Sequence, residues 1–211
     1  MSPRLIDKGL EELHKMTMEM GLYSHASFKK AIDALENMHD NSGELVRRSY
    51  QLMMKREEIN SLAVELIARY QPLASDLRYI KSIMEIAYDY LRIGRYSADI
   101  SLAIKDIIGA GETCPVEHLK KLVTAVDHMV TLSIELLEKP DNQKAYKIFE
   151  LDDEVDREYR KIIEEVIKMG DTKCGVLMAF VARYLERIGD HAYYVADSIH
   201  YYLNGYRIAK V

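Results

Sequence analysis

The stretch YLERIGDHAYY, residues 184–194, has an echo earlier in the chain, YLRIGRYSAD, residues 90–99. Both phrases place Tyr-Leu ahead of an Arg-Ile-Gly step, and both sit inside long helical patterns with no turn residue except that glycine. A phrase that returns near the end of each half of a chain is the mark of an internal repeat. The echo is imperfect in one respect. The later copy carries Glu186 and Asp190 one helical turn apart, where the earlier copy has Leu91 and Arg95.

Working outward, helical periodicity fills most of the sequence and its breaks are few. Ser2-Pro3 reads as an N-cap followed by proline at the first helical position, opening a helix that runs to about Met38. His39-Asp40-Asn41-Ser42-Gly43 makes the first turn, a second helix reaches about Tyr70, and Gln71-Pro72 bends into a third that ends near Ile108. Gly109-Ala110-Gly111 and Thr113-Cys114-Pro115 form the strongest punctuation in the chain and divide it into halves, residues 1–110 and 111–211. Three more helices follow over roughly 115–138, 141–169 and 172–204, separated by Lys139-Pro140-Asp141 and Gly170-Asp171-Thr172. The expected fold is all-α: six helices in two tandem three-helix bundles, the first half being one repeat and the second half the other.

Composition narrows the function. With only four prolines and ten glycines in 211 residues, helix is favoured, and 48% hydrophobic against 30% charged content fits a globular chain with a sizeable core. A net charge of −5 argues against a general nucleic-acid binder, which needs clustered Lys and Arg to neutralise phosphates. No apolar run approaches ~20 residues, so any membrane link is expected to be peripheral and to go through a partner. Cys114 and Cys174 are far apart and in no metal-type spacing. With no signal peptide at the start, they read as free thiols of a reducing compartment and the protein as cytoplasmic.

Two acidic elements stand out. Projected at about 100° per residue, the last helix has an apolar seam of Leu177, Val181, Tyr184, Ile188, Val195 and Ile199. Glu186 and Asp190 fall at about 180° and 220° from Leu177, on the opposite face, with Asp197 beyond them. On the preceding helix, FELDDEVDREY (149–159) has the seam Ile148, Val155, Tyr159, Ile162 and Val166. Asp152 falls within about 40° of it and Asp156 at about 80°. A carboxylate in an apolar arc is costly unless a cation or donors meet it. Ordinary ion pairs with Arg157, Arg160, Arg183 or Arg187 would account for these acids on exposed faces. A carboxylate metal site is the sharper alternative, since oxygen ligands from two neighbouring helices suit hard or borderline cations.

At this point the residues resemble a known family, the PhoU-type regulators of phosphate uptake. LERIGDHA (185–192) looks like the family's ERIGD segment, YQPLASDLRYI (70–80) is similar to its QP-x-A-x-DLR segment, and ELDDEVDREY (150–159) looks like its D-x-x-x-D element. The resemblance spans essentially the whole chain and implies two tandem three-helix bundles. Some members carry multinuclear iron or zinc clusters held by E/D-x-x-x-D pairs. By that pattern the ligands here would be Asp152, Asp156, Glu186 and Asp190, on the second repeat only. In the first repeat Ser49, Met53, Leu91 and Arg95 stand where the acids would be. The resemblance further implies a non-enzymatic regulator on the cytoplasmic side of a Pst-type phosphate ABC transporter, with a sensor histidine kinase as a second partner in bacterial relatives. It leaves homodimerisation open. A carboxylate-bridged metal enzyme, a ferroxidase or phosphatase, and an accessory subunit of another phosphate permease are the alternatives.

The remaining candidates read as structural. His191 projects towards the seam and is expected to be packed or to support a metal ligand. His25, His118, His128 and His200 receive no role. Met16, Met18 and Met20, with Met53 and Met54, read first as core filling, and the tyrosines of the last helix as core or interface rings. Asp76 and Arg78 are expected to cap the third helix and pair with each other. Gly94 and Gly189 sit mid-helix at a cost of about 1 kcal/mol each relative to alanine, which close helix approach or ligand access would explain.

Overall fold

The computed structural model describes residues 4–208. Six α-helices follow in order: α1 Asp7–Asn37, α2 Ser42–Tyr70, α3 Ser75–Gly109, α4 Lys120–Glu138, α5 Asn142–Ile167 and α6 Thr172–Asn204, with one 3-10 turn at Glu117–Leu119 ahead of α4. The expected N-cap at Ser2-Pro3 lies outside the described residues. The punctuation residues act as their chemistry dictates. Asp141 accepts the Gln143 N–H at 2.9 Å to cap α5, and Asp171 accepts the N–H groups of Lys173 and Cys174 to cap α6. At the other end Gly205, at φ 83°, closes α6 by donating its N–H to the Tyr201 carbonyl. Met38 and Gln71 end α1 and α2 in the same left-handed conformation without being glycine.

Helices α1–α3 form one antiparallel bundle and α4–α6 the next. Leu13, Met20, Phe28, Leu52, Ile83 and Tyr90 are fully buried in the first; Met129, Ile148, Met178 and Ile188 are fully buried in the second. Each such side chain contributes about 1.5–3 kcal/mol of transfer free energy. The bundles join through α3 and α6, which run antiparallel: Tyr79 meets Tyr202 at one end, Asp89 meets His191 in the middle, and Tyr96 stacks near Tyr184 further on. A second seam links α1 to α4, where Asp127 accepts from Lys29 Nζ at 2.7 Å and lies 2.8 Å from His25 Nε2. No helix is long and apolar enough to cross a membrane among the described residues.

This wrapping changes the reading of α6. The apolar seam is buried as expected, yet nearly every residue from Ile188 to His200 is buried as well, because α3, α4 and α5 pack around the helix. The face carrying Glu186, Asp190 and Asp197 is therefore shielded rather than solvated.

Two expectations fail. The cysteines are not free thiols: Cys114 in the connection between the bundles and Cys174 in the first turn of α6 form a disulfide, with Cα atoms 5.3 Å apart. A separation of 60 residues along the chain hid the pairing, and the argument for a reducing compartment lapses with it. Nor does Asp76 pair with Arg78. It accepts from Arg4 Nη1 at 2.6 Å, tying the start of α3 to the start of α1, and the α3 N-cap residue, Ala74, offers no side-chain cap. The methionines split: Met20 is fully buried and Met16 and Met18 pack on the core, whereas Met53 and Met54 are exposed.

Candidate functional site

The D-x-x-x-D and E-x-x-x-D spacings place each acidic pair one turn apart, on α5 and α6 respectively, and the close packing of these helices decides whether the pairs meet. Gly189 lies against the Val155 side chain, so the two backbones approach where the acids flank them. Asp152 is buried at 4% exposure, as its position near the apolar seam requires, and Asp190 is buried too. Glu186 is mostly covered, its side chain 13% exposed.

The three acids towards the helix surface sense one another. Burial raises the Glu186 carboxyl above its ordinary range, and the Asp190 charge raises it further; Arg183 and Arg187 pull the other way, and Asp156 from α5 adds to the rise. Each acid also meets an arginine. Glu186 Oε1 accepts from Arg183 Nη1 at 2.8 Å, Asp190 Oδ2 accepts from Arg187 Nη1 at 3.3 Å, and Arg160 stands 3.6 Å from Asp156. Glu186 Oε2 is buried and accepts no hydrogen bond, its nearest cation being Arg187 Nε at 3.8 Å.

So the ion pairs expected of a bland acidic face exist, and beside them one buried oxygen accepts no hydrogen bond. In this arrangement no three His, Cys, Asp or Glu side chains converge tightly enough to hold a metal ion among the described residues. The donor set still suits a hard cation. It is all carboxylate, it crowds like charges, and it leaves one buried oxygen without a donor.

The first bundle supplies the comparison. Ser49, Met53, Leu91 and Arg95, the positions equivalent to the four acids, converge on one cleft of about 100 Å³, shared with Tyr50, Tyr88 and Arg92. No carboxylate stands among these four residues. Arg95 is exposed there, and it lowers the carboxyl of Asp99 against the raising effect of burial.

Sequence reasoning missed several partners. His191 is packed, as expected, but its Nδ1 lies 2.8 Å from Asp89 of α3, so it belongs to the junction of the bundles. Arg207, past the end of α6, binds Asp197 and reaches Glu85 on α3. His118 pairs with Glu165 at 2.8 Å. None of these partners lies near its mate in sequence, so local spacing carries no signal of them.

With this geometry in view, the likeness to known proteins can be placed. The family model described as "PhoU domain" matches twice, over residues 17–104 and 119–199. The PhoU homolog of Clostridium acetobutylicum, named a phosphate-specific transport system accessory protein, is 30% identical over 99% of this chain and 98% of its own length. The first such homolog of Thermotoga maritima is 29% identical over 85% of this chain and 80% of its own. Among solved structures, PhoU from Pseudomonas aeruginosa superposes with a TM-score of 0.89 at 27% identity, covering 95% of this chain and all of that one. The phosphate transport system regulatory protein PhoU from Streptococcus pneumoniae shares the fold, with a TM-score of 0.90 at 21% identity. Two domain matches, one per bundle, and similarity along nearly the full length lead to one conclusion: the chain belongs to the PhoU family.

Proposed function

We propose that this protein is a non-enzymatic regulator of phosphate uptake, acting at the cytoplasmic side of a Pst-type phosphate ABC transporter. The observation that carries the reading is the end-to-end match to relatives named as accessory proteins of that transport system, with both repeats in order. A rigid pair of bundles without a membrane-spanning helix suits an adaptor that docks on a membrane partner. In the same reading, a sensor histidine kinase is a second partner and self-association a further property of the adaptor.

Asp152, Asp156, Glu186 and Asp190 would hold iron or zinc, as one ion or a small cluster on the second bundle alone. The buried, donor-free oxygen of Glu186 supports that reading. A bound cation would supply positive charge on the α5–α6 face for an anionic group of a partner, releasing Arg183 and Arg187 from their present carboxylates.

Affinity capture from native membranes, in phosphate-rich and phosphate-poor cells, is expected to recover transporter subunits; recovery in neither condition would sink the transporter reading. Separately, plasma mass spectrometry of untagged protein is expected to find iron or zinc that Asp152→Ala and Asp190→Ala both lose. Protein that is metal-free and takes up none would return the four acids to their arginines.

A further inference from the structure

Along one side of the α3–α6 junction the apolar packing is left open to solvent. Between the last turns of α3 and the first turns of α6 lies a groove of about 220 Å³, with Ile107 on one wall and Val176, Phe180 and Tyr184 on the other. Phe180 is 51% exposed and Val176 47%, and Leu102, in an adjoining cleft that shares Asp99 with the groove, is 37% exposed. Phe180 stacks on Tyr184 and Tyr184 on Tyr96, which fixes the aromatic wall. The volume falls below the range of about 300–1,000 Å³ for small-molecule sites and suits a few side chains of another polypeptide. Contiguous apolar surface of this kind marks an interaction face.

The charges of the groove say what kind of chain would cover it. Asp99 and Asp106 line it from α3, two turns and so about 10 Å apart, and no lysine or arginine lines it. Neither carboxylate makes an ion pair or a hydrogen bond among the described residues. Asp99 is partly covered, and burial raises its carboxyl; Arg95 and Arg92 pull it down from the adjoining side without closing an ion pair. A carboxylate that is partly desolvated and lacks a donor is stabilised by a cation brought to it.

We propose that this groove docks an amphipathic helix of a partner protein, apolar on the face it buries and carrying lysines or arginines two turns apart that meet Asp99 and Asp106. A third helix laid along two packed helices fills the groove between them by the same side-chain interdigitation that builds each bundle, with anchors at i+3 and i+4 between the cations. Those anchors enter between Ile107 and Phe180. Because α3 belongs to the first bundle and α6 to the second, an occupant touches both at once and favours their present arrangement. The site uses none of the four acids of α5 and α6, and it does not depend on the transporter reading or on the metal.

The test uses the full chain in about 0.15 M salt, where diffuse attraction to a chain of net charge −5 is screened. The probe is a fluorescein-labelled synthetic helix of about 18 residues with lysine at i and i+7 and leucine at i+3 and i+4. Two companion peptides differ from it, one with glutamate for each lysine and one with serine for each leucine. Fluorescence anisotropy is expected to give a Kd of about 1–100 μM for the probe and binding at least about 10-fold weaker for both companions. Phe180→Ser, and Asp99→Asn combined with Asp106→Asn, should each weaken the probe by about 10-fold or more, while Val64→Ser, at an exposed position of α2 outside the groove, leaves it unchanged. Circular dichroism verifies that the variants remain helical. The proposal is overturned if the probe does not bind at up to about 1 mM, if either companion binds equally well, or if the folded variants bind as before. It is also overturned if sedimentation shows Phe180→Ser turning a dimer of this chain into a monomer, since a second copy would then cover the groove.

Discussion

Folding alters Asp89 strongly, and its partner His191 lies in the other bundle. Burial pushes its carboxyl up to about 6 from an ordinary value near 3.8, against the hydrogen bond and charge of His191, with Glu85 raising it slightly and Arg207 lowering it. A raised carboxyl means that the folded chain holds this proton more tightly than the unfolded chain. Its stabilising effect is complete below about pH 4 and is lost as pH rises through about 6, a change of up to roughly 3 kcal/mol. Asp89→Asn, which keeps a hydrogen-bonding group against His191, is expected to abolish that slope. Melting curves of both proteins across pH 4–7 check it, and parallel curves would show that Asp89 titrates normally. The contrast with the four acids of α5 and α6 explains what was legible at this scale. Spacing of four residues revealed Asp152 with Asp156 and Glu186 with Asp190, because both members of each pair lie on one helix. Asp89 and His191 lie 102 residues apart, and only the antiparallel packing of α3 on α6 joins them.

Among the elements, α3 and α6 are the two that repeat each other, and their central glycines are tolerated for one reason to different degrees. A Cβ at Gly94 would stand 2.1 Å from Leu52 Cδ1, and Leu52 is fully buried with little room to yield. At Gly189 the nearest atom, Val155 Cγ1, is 3.2 Å away. Gly94→Ala is therefore expected to destabilise by about 1–2 kcal/mol after the helix-propensity gain, since overpacking costs more than alanine returns. Gly189→Ala should be near neutral, its gain of about 1 kcal/mol offsetting a small shift of Val155. Denaturant titration of the two variants distinguishes them; equal effects would mean that the two helix approaches are equally loose. Helix ends were legible in the sequence at the breaks Lys139-Pro140-Asp141 and Gly170-Asp171-Thr172, where Asp141 and Asp171 cap the helices that follow. They were less legible at α3, whose first turn is positioned by Arg4 reaching Asp76 from the beginning of the chain, a tertiary contact that no local pattern encodes. Helical projection alone also exposed too much of α6, because it could not count how many neighbours surround a helix.

For the molecule as a whole, the two bundles are joined by helix packing and by Asp127 with His25 and Lys29, while one covalent cross-link ties the connection between them to α6. The Cys114–Cys174 bond closes a loop of sixty residues. Loops of that length restrict the unfolded chain enough to stabilise by about 2–4 kcal/mol, which for a chain of this size moves the melting point by several degrees. Cys114→Ser, or the reduced wild type, is expected to melt lower by that amount, and an unchanged melt would mean that the bond adds nothing to stability. Between them the two cysteines also enclose α4 and α5. The turn leading into α6 holds Lys168, exposed and open to trypsin. A chain severed there would still travel as one molecule on a gel until a reductant is added, and only then part into two fragments. The second bundle can thus be nicked and keep both its pieces.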